Sequence, residues 1–251
     1  MALGKMGSAR GVMSTFKNWA VVFSDHAGFR RAPYISQLRN GLHFLTRPGS
    51  DDSRILFDVF AKRCYRPEAI SKNGTVIDIG GNIGAFSLLA AQRGARVYTY
   101  EPHPQNLQLL NANCALNRFD TIQVNPVCVA AEGGRAALYI PDDEGFVGRF
   151  SLYAGRGSRT VEVSVISAEK MFADLPPGPI DCLKLDCQGS EYDILYSAGA
   201  DNLRRVKEIL VECEDFPSDQ PKYSVAALSD YLKGLGFRIE AANNLLHARR
   251  D

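Results

Sequence analysis

The sequence predicts an α/β fold: a mostly parallel sheet with helices on both faces, ending in an antiparallel β-hairpin and preceded by an N-terminal cap. Three observations carry this. The stretch Thr75-Val-Ile-Asp-Ile-Gly-Gly-Asn-Ile-Gly84 runs from an apolar strand into Gly80, Gly81 and Gly84, and the small apolar residues 85–92 suit a helix. Strand, glycine turn, helix is the first crossover of a nucleotide-binding sheet, because glycine takes positive φ freely and lets a ligand lie against bare backbone. From residue 74 strands and helices alternate, as a parallel sheet requires. Finally, residues 236–242 and 245–249 read as strands joined by Asn243-Asn244, and asparagine tolerates the positive φ of a tight hairpin turn.

Residues 1–73 form the cap in this reading. Residues 1–10 read as mobile and 14–23 as one helix. Residues 41–46 alternate like a strand. Residues 54–64 carry Ile55, Leu56, Val59 and Phe60 at helical spacing, behind the capping side chains of Asp51, Asp52 and Ser53. Arg47 and Asp52 flank a Pro-Gly turn and read as a surface ion pair that holds it.

Residues 74–251 form the sheet domain. Strand 75–79 is followed by helix 84–93, which Gly94 stops, then strand 95–100 and a helix from Pro104 to about Leu116. Strand 121–129 contains Pro126, which marks an edge or a bulge. Residues 132–168 interrupt the alternation. They read as an inserted hairpin, 135–140 with 160–165, around a Gly-, Asp-, Ser- and Arg-rich loop at 141–159, and a connection of that length points to a substrate loop. Helix 167–174, strand 181–187, helices 191–198 and 201–205, strand 207–213 and an amphipathic helix 224–235 complete the order.

In an open sheet of this kind ligands bind beyond the carboxyl ends of the strands. Asp78, Asp186 and Glu212 fall at three such ends. Glu101 falls at a fourth, 23 residues after Asp78, where an acid is placed to hold ribose hydroxyls. Carboxylates beside an apolar sheet are costly without partners, so four of them around a glycine turn point to a binding site. Lys184, two residues before Asp186 and on the same side of its strand, reads as a counter-ion to one of them.

These blocks resemble the FkbM type of S-adenosylmethionine (SAM) dependent methyltransferases. The family's apolar-Asp-apolar-Gly-Ala-Asn-Ile-Gly stands here as Val76-Ile-Asp-Ile-Gly-Gly-Asn-Ile-Gly84, and its Phe-Glu-Pro-x-Pro as Tyr100-Glu-Pro-His-Pro104. Its Lys-x-Asp-x-Glu-Gly-x-Glu is similar to Lys184-Leu-Asp-Cys-Gln-Gly-Ser-Glu191. The resemblance covers roughly residues 40–240. Gly81 replaces the usual alanine, and Gln188 replaces the usual glutamate, which removes a charge near the reaction site. What the resemblance implies is a Rossmann-like class I methyltransferase sheet with SAM as cofactor. Asp78, Gly80, Gly81, Asn82, Gly84, Glu101 and Pro102 would surround SAM, with Val129 and Ala130 along the adenine. His103 is placed either at the adenine edge or, as the better reading, in a solvated loop. Asp186 is the candidate base, with Glu191 and Glu212 as catalytic alternatives. The implied acceptor is a hydroxyl of a sugar or secondary metabolite, and N-methylation of a peptide or amine stays open. A divalent ion at Asp186 with Glu212, Glu214 and Asp215 is open but not favoured, since charged loops are mostly just solvated; no metal ligand is assigned.

Two other readings are weighed. An NAD-dependent oxidoreductase is disfavoured by the G-x-x-x-G spacing and the terminal hairpin, and a non-catalytic SAM-binding protein rests on Gln188 alone. With 45% apolar residues the chain can build a core, and a net charge of +1 gives no global attraction to nucleic acid or membrane. The partner the resemblance implies is a small-molecule or glycan acceptor. Six cysteines without C-x-x-C spacing read as the reduced thiols of a cytoplasmic protein. The apolar run 19–23 is too short for a signal-peptide core or a membrane span.

Overall fold

The computed structural model describes residues 8–65, 70–142, 150–152, 157–213, 220–242 and 244–250. The N-terminal segment contains α1 (Ala9–Thr15), α2 (Trp19–His26), β1 (Tyr34–Gln37), β2 (His43–Thr46) and α3 (Asp52–Phe60). The single helix expected over 14–23 is two helices. Phe16, fully buried, is extended and bridges Leu38, so the chain breaks between α1 and α2 to seat that ring in the core. β1 pairs antiparallel with β2. Asp51 stands at the N-cap of α3 without capping it, because its carboxylate turns to Arg54.

Next come β3 (Thr75–Ile79), α4 (Ala85–Gln92), β4 (Arg96–Tyr100), α5 (Pro104–Asn117) and β5 (Ile122–Asn125). β6 (Cys128–Ala130), β7 (Gly134–Ile140), β8 (Arg159–Ser167) and α6 (Ala168–Asp174) follow. The chain then runs through β9 (Ile180–Leu185), α7 (Glu191–Ser197), α8 (Ala200–Arg204), β10 (Val206–Glu212), α9 (Val225–Gly234), β11 (Arg238–Ala242) and β12 (Leu245–Arg249). A seven-stranded sheet runs β11-β12-β10-β9-β3-β4-β5. Its β5-to-β10 part is parallel, while β12 lies antiparallel between β10 and β11, the terminal hairpin read from the sequence.

The strand expected over 121–129 is divided at Pro126. β5 ends at Asn125 as the sheet's edge strand, and β6 leaves to pair with β8, forming a separate three-stranded sheet in the order β6-β8-β7. Proline carries no N–H for a ladder, so the break falls where a missing donor costs least. The inserted hairpin is present as β7 and β8. Most of the loop between them, 143–149 and 153–156, lies outside the described residues, as do residues 1–7, Glu214 and Asp215.

Helix α4 explains how the N-terminal segment is seated. Every residue from Ala85 to Ala91 is buried, and a helix apolar all round needs cover on its outer side as well as its sheet side. Val12, Phe16, Phe44, Leu56 and Phe57 supply it in one core with Leu88, Leu89 and Val97. The edge of β2 is closed by α5, whose Asn113 and Asn117 accept from the backbone N–H groups of Leu45 and His43. The opposite face of the sheet is covered by α6, α7 and α9 through Met171, Phe172, Ile194, Leu195, Leu228 and Leu232. The carboxyl ends of β3, β4, β9 and β10 are thereby left open between the N-terminal segment and the inserted three-stranded sheet.

Candidate active site

Two adjoining clefts occupy that opening. The first, enclosing about 540 Å³ and partly open to solvent, is lined at its base by Ile79, Gly80, Asn82, Glu101 and Pro102. Val129 and Leu138 wall it, and Phe150 and Leu152 of the inserted segment cover it. The second, about 1210 Å³, lies between α3 and the ends of β9 and β10, where Arg54, Asp58, Tyr65, Lys184, Asp186 and Glu212 face it. Gly80, Asn82, Asp186 and Gln188 belong to both walls.

The glycine turn has no room for side chains. A Cβ on Gly80 would lie 1.9 Å from the Asp186 carbonyl oxygen, and φ there is +80°. A Cβ on Gly81 would lie 2.2 Å from Thr99 Oγ1. Gly84 starts α4 with φ +90° and packs against Leu88 and Leu110, behind the cleft rather than in it. Asn82 also has positive φ, and its Oδ1 is buried without a hydrogen-bond partner.

Glu101 is almost fully buried and accepts from the backbone N–H of Asn82 (2.7 Å) and of His103 (2.9 Å). Burial pushes its pKa up to about 7, against the pull of those two N–H groups and the Asn106 amide. Asn106 is buried at the cleft's edge and accepts from Arg47 Nη1 (2.9 Å), while Arg47 grips the fully buried Asp52 with its other nitrogens. The Arg47–Asp52 pair, expected at the surface, is therefore tied in behind Asn106, with Asp52 fully buried. Neither Asn106 nor Tyr65 is signalled by any local motif, and Arg47 carried only the turn signal.

Asp78 corrects its assignment as a direct cofactor contact. It is fully buried inside the sheet, accepts from Ser87 Oγ (2.6 Å) and pairs with Lys184 Nζ (2.9 Å), and it lines neither cleft. The two are register partners on β3 and β9, so both side chains leave the sheet on one face. Lys184 also donates to the Gly80 carbonyl (2.8 Å). Burial opposes its charge, but Asp78 and then Asp186 outweigh that and hold its pKa above the ordinary value. Lys184 is thus the counter-ion the sequence called for, and through Gly80 it fixes the turn.

Asp186 stands just past the end of β9 with its side chain 28% exposed, unlike the buried acids around it. It accepts from the Tyr65 hydroxyl (3.1 Å) and the Gln188 amide (3.2 Å). Burial, then the Asp186 charge, keeps the Tyr65 phenol protonated, so it acts as a fixed donor. Glu212 reaches the second cleft from the end of β10 and accepts from Asn244 Nδ2 (3.0 Å). Glu191 corrects its assignment as a catalytic alternative. It is fully buried and lines neither cleft, and its two oxygens accept from the N–H groups of Cys187 (2.9 Å) and Gly189 (2.8 Å), bracing the 187–189 loop from behind. Burial raises its pKa to about 7 as well.

His103 is not a solvated loop residue. It is buried at the N-cap of α5 and stacks on Phe150, ring centroids 3.7 Å apart. Burial, then Arg47, lowers its pKa to about 4, so the ring is neutral at pH 7. His103 and Ala130 do not line the clefts, whereas Pro102 and Val129 do. Among the described residues no group of three or more His, Cys, Asp or Glu is arranged to hold a metal ion.

The model of the methyltransferase FkbM domain family matches residues 78–239, which span the glycine turn and the ends of β9 and β10. The chain belongs to this family of SAM-dependent methyltransferases. It is 26% identical over 223 residues to the 31-O-demethyl-FK506 methyltransferase FkbM of Streptomyces tacrolimicus, covering 76% of this chain and 84% of that protein. It is 25% identical over 186 residues to methyltransferase sdnD of Sordaria araneosa, covering 62% of this chain and 72% of the other. Among solved structures, the tRNA m1G37 methyltransferase of M. jannaschii aligns with 13% identity and a TM-score of 0.46, over 88% of this chain and 58% of that one.

An FkbM-type methyltransferase has to hold SAM, and the chemistry of the first cleft's lining matches its groups. Glu101 offers an acid for the ribose hydroxyls, and the apolar wall at Val129, Leu138 and Phe150 suits the adenine. The orphaned Asn82 Oδ1 and the bare backbone at Gly80 and Gly81 suit the amino-acid end.

Proposed function

We propose that the protein methylates a hydroxyl group of a small-molecule or glycan acceptor, with SAM in the first cleft and the acceptor in the second. The observation that carries this is the position of Asp186: on the wall shared by both clefts, part-exposed, and oriented by Tyr65 and Gln188. Bound SAM supplies an electrophilic methyl carbon. The rest falls to the chain. Gly80, Asn82 and Glu101 hold the cofactor, and Asp186 takes the proton of the acceptor hydroxyl as its oxygen attacks, a role for a base within hydrogen-bond reach. Glu212, Asn244 and Asp58 offer acceptors and donors along the far wall for further hydroxyls. The name of the Streptomyces relative, a 31-O-demethyl-FK506 methyltransferase, supports oxygen as the target atom.

Residues 1–73 serve in this reading as the cap that completes the second cleft, and 74–251 as the SAM domain. The partner is the acceptor, without nucleic acid or membrane, and the compartment is the cytoplasm. Six free thiols and a net charge of +1 support that placement. Among the described residues no helix is long and apolar enough to cross a membrane. A panel of polyhydroxylated acceptors and amines incubated with methyl-labelled SAM, read by mass spectrometry, tests the proposal. Label on oxygen is the expected outcome; label on nitrogen alone would contradict it.

A further inference from the structure

Arg47 lines neither cleft, yet each of its three guanidinium nitrogens donates a hydrogen bond. It donates to both oxygens of Asp52 (3.0 and 2.7 Å) and, through Nη1, to Asn106 Oδ1 (2.9 Å). With its oxygen occupied, the Asn106 amide group turns to the Glu101 carboxylate, to which it is hydrogen-bonded. Asp52, Asn106 and Glu101 are all nearly or fully buried, so the chain runs through a region where hydrogen bonds are strong and a missing partner is costly. The planar fork of arginine is what makes three such contacts at once.

We infer that Arg47 is a positioning residue for the cofactor's ribose: by fixing the Asn106 amide it aims the Glu101 carboxylate at the hydroxyls and couples the N-terminal segment to SAM binding. This rests on the reading of Glu101 as the ribose acid. A side chain held by packed, hydrogen-bonded neighbours keeps its geometry, and loosening that support degrades binding without removing a contact to the ligand. In sequence the coupled residues are distant: Arg47 stands 54 positions before Glu101, in the turn between β2 and α3.

Titration calorimetry with S-adenosylhomocysteine and with its 2′,3′-dideoxy analogue tests this on the full chain. Arg47→Ala should weaken S-adenosylhomocysteine by about tenfold, the scale of one lost hydrogen bond. It should change the dideoxy analogue by less than about twofold, because the affected acid has nothing left to hold. In a Glu101→Gln background Arg47→Ala should cost nothing further. Asn106→Ala should repeat the pattern while leaving the Arg47–Asp52 pair intact, and it serves if Arg47→Ala does not fold. Arg47→Lys should restore the melting temperature but not the hydroxyl-dependent affinity. Equal weakening of both ligands would overturn the inference and leave Arg47 a structural residue. If Glu101→Gln alone leaves the discrimination between the two ligands unchanged, the ribose reading itself fails, and the inference with it.

Discussion

On the side of the sheet edge proposed for the nucleoside, the acids are buried and answered by the protein's own donors. Glu101 takes two backbone N–H groups and the Asn106 amide, and Asp78 takes Ser87 and Lys184. On the proposed acceptor side, Asp186 is part-exposed and held by Tyr65 of the N-terminal segment and by its neighbour Gln188, with Lys184 3.9 Å away, and Glu212 accepts from Asn244. The first arrangement is rigid before any ligand arrives, and it suits a constant cofactor. The second leaves polar groups facing a wide cleft, where differences among acceptors can be read.

The two regions should break differently. The largest effect is expected at Gly80→Val. The new side chain would collide with the Asp186 backbone at a positive φ, so we expect a stability loss of about 3 kcal/mol or more and no measurable S-adenosylhomocysteine binding, seen by thermal melting and calorimetry. Glu101→Gln should fold but bind S-adenosylhomocysteine about 10- to 100-fold more weakly.

The same acid sets a pH dependence. In the ligand-free protein Glu101 and Glu191 hold their protons to about pH 7, while the unfolded chain releases them near 4.5. The folded state binds more protons in that window, so stability should fall as pH rises from about 4.5 to about 7. Ribose hydroxyls favour the charged form of Glu101. S-adenosylhomocysteine affinity should therefore weaken as pH drops below about 7, at a limiting slope of about tenfold per pH unit, and Glu101→Gln should flatten the curve. Glu191→Gln should cost about 1–2 kcal/mol of stability through the 187–189 loop, with the pH profile of turnover unchanged. The smallest effect is expected at Phe150→Ala, which should weaken cofactor binding about two- to fivefold by uncovering the cleft and the His103 ring.

The first cleft was legible because its signals are local. Residues 75–84 contain strand, turn and helix start in one stretch, and Glu101 follows at the end of the next strand. Pro126 announced an edge, although not that the chain would leave for a second sheet. What stayed hidden depends on contacts between distant segments. His103 is buried because Phe150, 47 residues later, lies on it, and the Arg47–Asp52 pair is buried because Asn106 on α5 closes over it. Tyr65 and Asp186 meet across 121 positions. Asp78 and Glu191 carried the right residue type at the right edge, but the carboxylate's direction is set by Lys184 and by the loop N–H groups, which spacing alone does not show.

The division of labour between binding and chemistry is tested most directly at Asp186→Asn. This substitution keeps the shape at the shared wall and removes the base. Single-turnover transfer from methyl-labelled SAM to an acceptor found by the labelling panel, set beside S-adenosylhomocysteine affinity of the same protein, separates the two functions. The expected result is affinity within about twofold of the native protein and transfer slowed by about 10²-fold or more, the scale of a lost general base. Full transfer at neutral pH would show that Asp186 is not the base, and a collapse of affinity would make it a cofactor ligand; either contradicts the assignment made from its place between the two clefts.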